Sequence, residues 1–133
     1  MNRKHGERGA TILEFGLAFL VFFSALYAIM EFGRIVASYN ILAGAAREGA
    51  RYAMVHGSAS GSLATASDIQ DVVRGWAVGL DTSSVAVTTT WTPGKAPGDN
   101  VKVQVSYTVT PFTGLILKNG LTLQSSSQMA ISQ

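Results

Sequence analysis

Hydrophobic and polar positions divide the chain into a long apolar stretch, an alanine-rich stretch and a polar C-terminal part. The longest uncharged stretch is FGLAFLVFFSALYAIM, which runs from Phe15 to Met30. A helix rises about 1.5 Å per residue, so residues 10–30 would form a helix roughly 30 Å long, about the thickness of a bilayer core. The pattern therefore predicts a membrane-spanning helix over residues 10–30.

The helical pattern continues beyond the apolar stretch. Between Glu31 and His56 there is no proline, and apolar residues recur at steps of three and four. The sequence therefore predicts one long helix over residues 10–56, with a lipid-embedded first half and an amphipathic second half. Its glycines lower the helix propensity locally, which leaves a bend in this helix open.

Small residues are concentrated in the second half of the predicted helix. Small side chains allow another backbone to approach closely. Two interpretations stay open, because these residues would pack equally well against a second helix or against the C-terminal part of the same chain. The residues concerned are Ala43, Gly44, Ala46, Gly49 and Ala50.

A glycine- and serine-rich segment and a second helix follow. Composition predicts a flexible linker over residues 57–66. Ser67 and Gln70 fit a capping box, so a shorter helix is predicted to begin at Ser67 and to extend to Leu80. Its apolar stripe indicates a core-facing helix, with Trp76 as the largest anchor.

The hydrophobic period changes from 3.6 to 2 after this helix. Alternating residues predict strands over residues 85–92 and 101–109 and a weaker one over 121–131, with an apolar connection over 112–120. The predicted fold class is α+β: a long N-terminal helix followed by a small head with one short helix and a three-stranded antiparallel β-sheet. The predicted divisions are a basic leader (1–9), the long helix (10–56), the linker (57–66) and the head (67–133).

Charge is distributed unevenly along the chain. The leader contains Arg3, Lys4 and Arg8 but only one acidic residue, Glu7, and the remainder is balanced. The positive-inside rule therefore predicts a cytoplasmic N-terminus and a head outside the membrane. A cleaved secretory signal peptide is disfavoured by the length of the apolar run and by the lack of a small-x-small pair at its end. No basic face remains for phosphates, so nucleic acid is not an expected partner.

Candidate catalytic chemistry is sparse. The chain has no cysteine, and its two histidines, His5 and His56, lie far apart in the sequence. Its serines and threonines have no activating base at a meaningful spacing. We therefore expect no enzymatic activity, no cofactor and no metal site. Glu31 is interpreted as a marker of the outer membrane boundary, paired with Arg34 one turn away.

Glu14 needs an explanation, because a carboxylate one turn inside a membrane helix is costly and usually marks function. One interpretation is a residue at interface depth, tolerated there by the helix dipole. The other supposes that a peptidase cuts between Gly9 and Ala10. The new amine of Ala10 would then neutralise Glu14 of the same helix or of a neighbouring one, and so favour one register of assembly.

The run Gly9-Ala10-Thr11-Ile12-Leu13-Glu14-Phe15 is similar to the class III prepilin signal of Flp-type pilins. Together with the runs EFGR at residues 31–34 and AAREGARYA at residues 45–53, it resembles the TadE-like family. These proteins are pseudopilins, or minor pilins, of the bacterial tight-adherence (Tad) system, which builds Flp pili, relatives of type IV pili. The resemblance covers residues 7–53.

The resemblance implies a single-pass protein of the bacterial inner membrane that reaches the cell-surface pilus after assembly. It implies processing at Gly9 and Ala10 by a prepilin peptidase, with Glu14 and Phe15 serving recognition and assembly. The implied partners are that peptidase, other pilin or pseudopilin subunits, the Tad inner-membrane assembly proteins and the lipid bilayer. The implied role is assembly of a pilus for adhesion.

Three hypotheses result. The leading one is a TadE-like pseudopilin. The second is the main filament subunit, which the size of the head disfavours, because Flp major pilins are very small. The third is a permanently anchored binding module whose threonine-rich strand face recognises a ligand. The candidate residues of that face are Thr88, Thr90, Thr92 and Thr108.

Overall fold

A computed structural model describes residues 4–112 and 119–133 of the chain, with side chains from residue 9 onward. The elements in chain order are α1 (Lys4–Val55), α2 (Ala66–Trp76), a single 3-10 turn (Thr82–Ser84), β1 (Val85–Thr92), β2 (Asn100–Val109) and β3 (Leu121–Ala130). This arrangement confirms the predicted α+β fold. Residues 1–3 of the predicted leader and most of the apolar connection predicted over 112–120 lie outside the described residues.

The chain divides into two compact units, one ending at Arg34 and one spanning Ile35–Gln133. Helix α1 contributes residues to both. It begins at Lys4 rather than near Ala10, so part of the predicted leader is helical. The physical reason is that no proline precedes Ala10, and glycine lowers helix propensity without blocking the helix.

The C-terminal unit contains an antiparallel sheet in the order β1-β2-β3. Its central strand, β2, shows the alternation that the sequence predicts. Val101, Val103 and Val105 are fully buried, whereas Lys102 between them is exposed. A buried row on one side and a polar row on the other give the sheet one core-facing surface and one outer surface.

The last turns of α1 belong to the core of this unit. Leu42, Ala46 and Ala50 are fully buried, at the four-residue spacing of one helix face. Residues of α2 and β2 complete the same hydrophobic cluster. The long helix therefore supplements the core that three strands and one short helix form.

The N-terminus of α2 differs from the prediction. Its N-cap is Thr65, in an extended conformation (φ −95°, ψ 163°), and not Ser67. The Thr65 hydroxyl accepts a hydrogen bond from the Asp68 N–H at 3.2 Å. The Asp68 carboxylate in turn accepts from the Thr65 N–H at 2.9 Å. The predicted Ser67–Gln70 box is wrong, because the equivalent pair two residues upstream satisfies the first N–H groups of the helix.

This cap predicts a pH dependence of stability. Hydrogen bonds from the Thr65 hydroxyl and backbone lower the pKa of Asp68 below its ordinary value of 3.8. The stabilisation is therefore present above that value and is lost as the pH falls through the lower pKa of the folded state. In the full chain in detergent micelles, we expect Thr65→Ala to cost about 1 kcal/mol at neutral pH and to weaken the acid dependence.

Thermal unfolding followed by tryptophan fluorescence at a series of pH values measures this effect. Thr65→Ser is the matched control, because it keeps the hydroxyl and should retain both the stability and its pH dependence. An alanine variant with an unchanged pH profile would show that the cap does not act on Asp68.

Trp76 also differs from the prediction. It is the last residue of α2 and is 57% exposed, so it does not anchor the helix in the core. Ile69, Val73 and Ala77 form the buried line instead. These three residues are four positions apart, and packing along that ridge leaves Trp76 at its margin.

Residues 56–65, which include most of the predicted linker, form hydrogen bonds within the loop and to another segment of the chain. The Ala64 N–H donates to the His56 carbonyl at 2.8 Å, and the Ser58 N–H donates to the Lys95 carbonyl at 2.9 Å. The Lys95 ammonium returns a hydrogen bond to the Ala64 carbonyl at 2.9 Å. The loop is thereby bonded to the segment between β1 and β2.

The end of β3 contacts the end of α1. The N–H and the hydroxyl of Ser132 both donate to the Met54 carbonyl, at 3.0 and 3.2 Å. The N–H of His56 and its Nδ1 bond the carbonyls of Ala53 and Tyr52. Several of the carbonyls that a helix leaves unsatisfied at its C-terminus therefore have partners here.

Candidate assembly segment

The N-terminal unit presents an uncovered apolar helix. Residues 9–30 are exposed in the structure apart from the half-buried Tyr27. α1 contains one candidate membrane span by length and composition, with a mean hydropathy of 2.2 and no burial of its most apolar window. An apolar surface of this extent is unfavourable in water, and the helix fits a single-pass membrane anchor.

Aromatic side chains form a line along this helix. The ring centroids of Phe15 and Phe19 are 6.2 Å apart, and those of Phe19 and Phe23 are 4.1 Å apart. The four-residue spacing places the three rings one above another on one face. The sequence prediction singled out Phe15 alone. The spacing of Phe19 and Phe23 from it is the signal that would have identified the whole line.

Gly9, Ala10 and Glu14 lie near the start of the same helix. Glu14 is exposed, and it is the only charged residue between Ala10 and Met30. Ala10 precedes Glu14 by four residues, so both lie on the same face of α1. No other part of the described chain comes within 4 Å of a Cβ built on Gly9. The segment thus combines an accessible glycine with one exposed carboxylate.

The opposite end of the apolar stretch carries an ion pair. The Arg34 guanidinium donates a hydrogen bond to the Glu31 carboxylate, as their three-residue spacing predicts. Glu31 is only 8% exposed. A buried carboxylate needs a partner, and Arg34 supplies it locally.

The small residues for which the sequence left two packing partners open fall into two groups. Ala46, Gly49 and Ala50 are buried in the C-terminal unit. A Cβ built on Gly49 would lie 2.6 Å from Cγ2 of Val73. The face of α1 at Gly49 therefore packs directly against α2, with no room for a larger residue. Ala43 and Gly44 are half-buried, and a Cβ on Gly44 would meet nothing within 4 Å.

Polar side chains in the C-terminal unit have structural roles. Nδ1 of His56 lies 2.9 Å from the Tyr52 carbonyl, and the two rings stack with centroids 4.1 Å apart. The Lys95 ammonium lies 4.0 Å from the centroid of the Trp91 ring. Among the side chains that the structure describes, those of residues 9–112 and 119–133, no group of three or more His, Asp or Glu is arranged to hold a metal ion.

Comparison with known families adds to this geometry. The family model for TadE-like protein matches residues 9–51. This confirms the resemblance that the three sequence runs indicate. The TadE-like match covers the candidate cleavage site, the exposed apolar helix and the small-residue stretch of α1. The family implies a pilin-like protein associated with the Tad pilus. No curated protein and no solved structure matches the chain.

Proposed function

We propose that the chain is a minor pilin of the Tad pilus, processed by a prepilin peptidase after Gly9. The observation that carries this proposal is the conjunction of the TadE-like match over residues 9–51 with an exposed apolar helix. A glycine precedes that helix, and its first turns carry the single carboxylate of Glu14. An anchor that only held the C-terminal unit at the membrane would need neither this glycine nor this carboxylate.

Membrane insertion is the first step of the proposed role. The basic leader stays in the cytoplasm, residues 10–30 cross the inner membrane, and the C-terminal unit lies outside it. The ion pair of Glu31 and Arg34 then lies near the outer boundary, where water and headgroups are within reach. The bilayer is the reservoir from which the subunit enters a filament.

Processing and assembly are the second and third steps. Cleavage after Gly9 removes the basic leader and leaves a positively charged amine on Ala10. In a bilayer, the carboxylate of Glu14 is stabilised by such an amine on an adjacent subunit. Contacts between subunits then replace lipid contacts along the aromatic face of α1, and heterologous contacts of this kind extend without closing. The peptidase, other pilin subunits and the Tad inner-membrane assembly proteins are the proposed partners.

The abundance of the chain in sheared surface filaments tests this role. A minor pilin is expected in filaments at a small fraction of the main subunit, with pili lost or shortened when the chain is deleted. A chain that forms most of the filament mass would instead be the main filament subunit. A chain that remains in the membrane fraction of a normally piliated cell would be a permanently anchored binding module, and both pilin roles would be rejected.

A further inference from the structure

Strand β3 is an edge of the sheet. In the order β1-β2-β3, only β2 pairs on both sides. Among residues 4–112 and 119–133, β3 has β2 as its one strand partner. The other side of a ten-residue strand, Leu121–Ala130, therefore carries backbone N–H and carbonyl groups directed away from the sheet.

This edge lacks the devices that usually prevent edge pairing. Leu121–Ala130 contains no charged residue and no proline. It pairs with β2 residue for residue from Leu121 to Ala130, so no bulge interrupts it. Edge strands of monomeric sheets commonly carry a lysine, a proline or a bulge. By its sequence and its regular pairing, the edge is therefore suited to an additional strand.

The sequence of β3 is self-complementary in the antiparallel direction. A two-fold axis at Ser126 places Gln124 opposite Gln128 of a second copy and Ser125 opposite Ser127. The same register places Leu123 opposite Met129. Each of these pairs joins residues of one face, because directly opposed residues of antiparallel strands point to the same side. Amides then meet amides, hydroxyls meet hydroxyls, and apolar side chains meet apolar side chains.

The burial of β3 also favours a second β3 strand beside this edge. The core-facing residues of β3 are only half-buried, including Leu123 and Met129, which pack against the margin of the hydrophobic cluster. The core-facing valines of β2 are fully buried. A second strand beside β3 would cover Leu123 and Met129 from the open side. Its own Met129 and Leu123 would supply the cover.

We propose that the head forms a two-fold dimer in which β3 pairs with β3 of a second copy, centred on Ser126, to make one six-stranded sheet. The contact is isologous and closes after two subunits. It is distinct from the contacts proposed for the filament, because it uses strand β3 of the C-terminal unit and not the aromatic line of α1. It does not depend on cleavage after Gly9, so the two proposals fail independently.

Disulfide cross-linking of the full chain in membranes tests the register. The chain has no cysteine, so Ser126→Cys introduces a single thiol. Directly opposed residues of antiparallel strands have Cα atoms about 4.5–5.5 Å apart, within disulfide reach. Two control positions, Thr88 and Thr122, are exposed like Ser126 and lie on the same face of the sheet. Thr88 lies in the same cross-strand row on β1, through Gln104, and Thr122 lies on β3 itself.

We expect oxidation to give at least about tenfold more dimer with Ser126→Cys than with either control. The two Thr122 positions in the proposed dimer are eight residues apart along the strand, about 26 Å, which no disulfide spans. Equal cross-linking of Ser126→Cys and Thr122→Cys would indicate random collisions and overturn the proposal. The absence of a Ser126→Cys dimer would also overturn it.

A charge at the two-fold axis provides a second test without oxidation. Ser126→Lys places two ammonium groups opposite each other, which destabilises an antiparallel pair, and the position is exposed in the single chain. Light scattering of the full chain in detergent micelles should give a dimer for the wild type and for Thr88→Lys and a monomer for Ser126→Lys. A Ser126→Lys chain that remains dimeric would overturn the proposed interface.

Discussion

Replacing Glu14 by glutamine is expected to reduce incorporation of the chain into sheared filaments at least about tenfold, while the protein still enters the membrane. Glutamine has nearly the size of glutamate but carries no charge, and its amide group replaces one acceptor oxygen with an NH2 donor. The loss would therefore report on the carboxylate itself. Quantifying the chain in filaments and in membranes of the same cells measures both quantities.

The physical reason is the environment of Glu14. It is the only charged residue between Ala10 and Met30, on a helix whose surrounding surface is exposed and apolar. A carboxylate costs about 2.5–3.5 kcal/mol at the centre of a membrane helix on insertion scales and less near its ends. The amine that cleavage creates on Ala10 of a neighbouring subunit removes this cost only in one register. Glutamine carries no such cost and so loses the preference for that register.

Two variants separate this effect from a general disturbance of the helix. Glu14→Asp keeps the charge and should retain part of the incorporation. Leu17→Ala alters a side chain that is 57% exposed on the same segment and should leave incorporation close to normal. If Glu14→Gln assembles as well as Leu17→Ala does, Glu14 does not direct assembly.

Replacing Gly57 by alanine is expected to destabilise the C-terminal unit by about 2–4 kcal/mol. A Cβ at this position would lie 1.9 Å from the Gln133 carbonyl oxygen, 2.3 Å from Cγ2 of Ile131 and 3.0 Å from the Lys95 carbonyl oxygen. Two of these three atoms belong to the backbone. A rotamer change does not relieve such a clash, and the chain itself must move.

The movement would break a set of contacts that meet at Gly57. The Ser58 N–H bonds the Lys95 carbonyl, and the Ser132 N–H bonds the Met54 carbonyl. These bonds join the end of α1, the segment before β2 and the residues after β3. Thermal unfolding of the full chain in detergent micelles, followed by the fluorescence of Trp76 and Trp91, measures the loss.

Gly75 provides the matched control for this substitution. It lies in α2, and a Cβ built there meets nothing within 4 Å. Gly75→Ala is expected to leave the unit unchanged or to stabilise it by about 0.5–1 kcal/mol, because alanine favours the helix. Equal stability of the Gly57→Ala and Gly75→Ala chains would show that the loop moves freely at Gly57.

The strands were predictable from the sequence because alternation is a local signal. Val101, Val103 and Val105 alternate with polar residues in the sequence, and the sheet buries that set and exposes Lys102. A shift of the pairing register by one residue would have exposed the valines. The pattern therefore determines which face of the strand is buried. The antiparallel pairing follows from the short connection between β1 and β2.

The ends and margins of elements were harder to predict. Trp76 fits the helical stripe of α2, but the stripe is wider than the ridge that meets the sheet, and the helix ends at Trp76. Whether Thr65 or Ser67 is the N-cap depends on the backbone angles at these residues. The sequence does not reveal those angles, because both residues fit the capping-box pattern. The loop after α1 has the composition of a linker, and its hydrogen bonds to Lys95, a residue distant in sequence, are not visible in that composition.

The candidate assembly segment is assigned from the sequence alone. Gly9, Ala10, Glu14 and Phe15 lie within one seven-residue run, and their roles in processing and assembly stay predictions. The small residues of α1 are different. Gly49 and Gly44 look alike in the sequence, yet only Gly49 meets α2 and β2. Which small residue is already covered depends on tertiary packing.

The N-terminus of the membrane-bound protein is the most direct test of the proposed role. Intact-mass measurement of the chain from cells with and without the native prepilin peptidase identifies its first residue. A mature chain that begins at Ala10 only when the peptidase is present is the predicted result. A chain that still begins at Met1 in both cells would contradict a pilin role and leave a permanently anchored membrane protein.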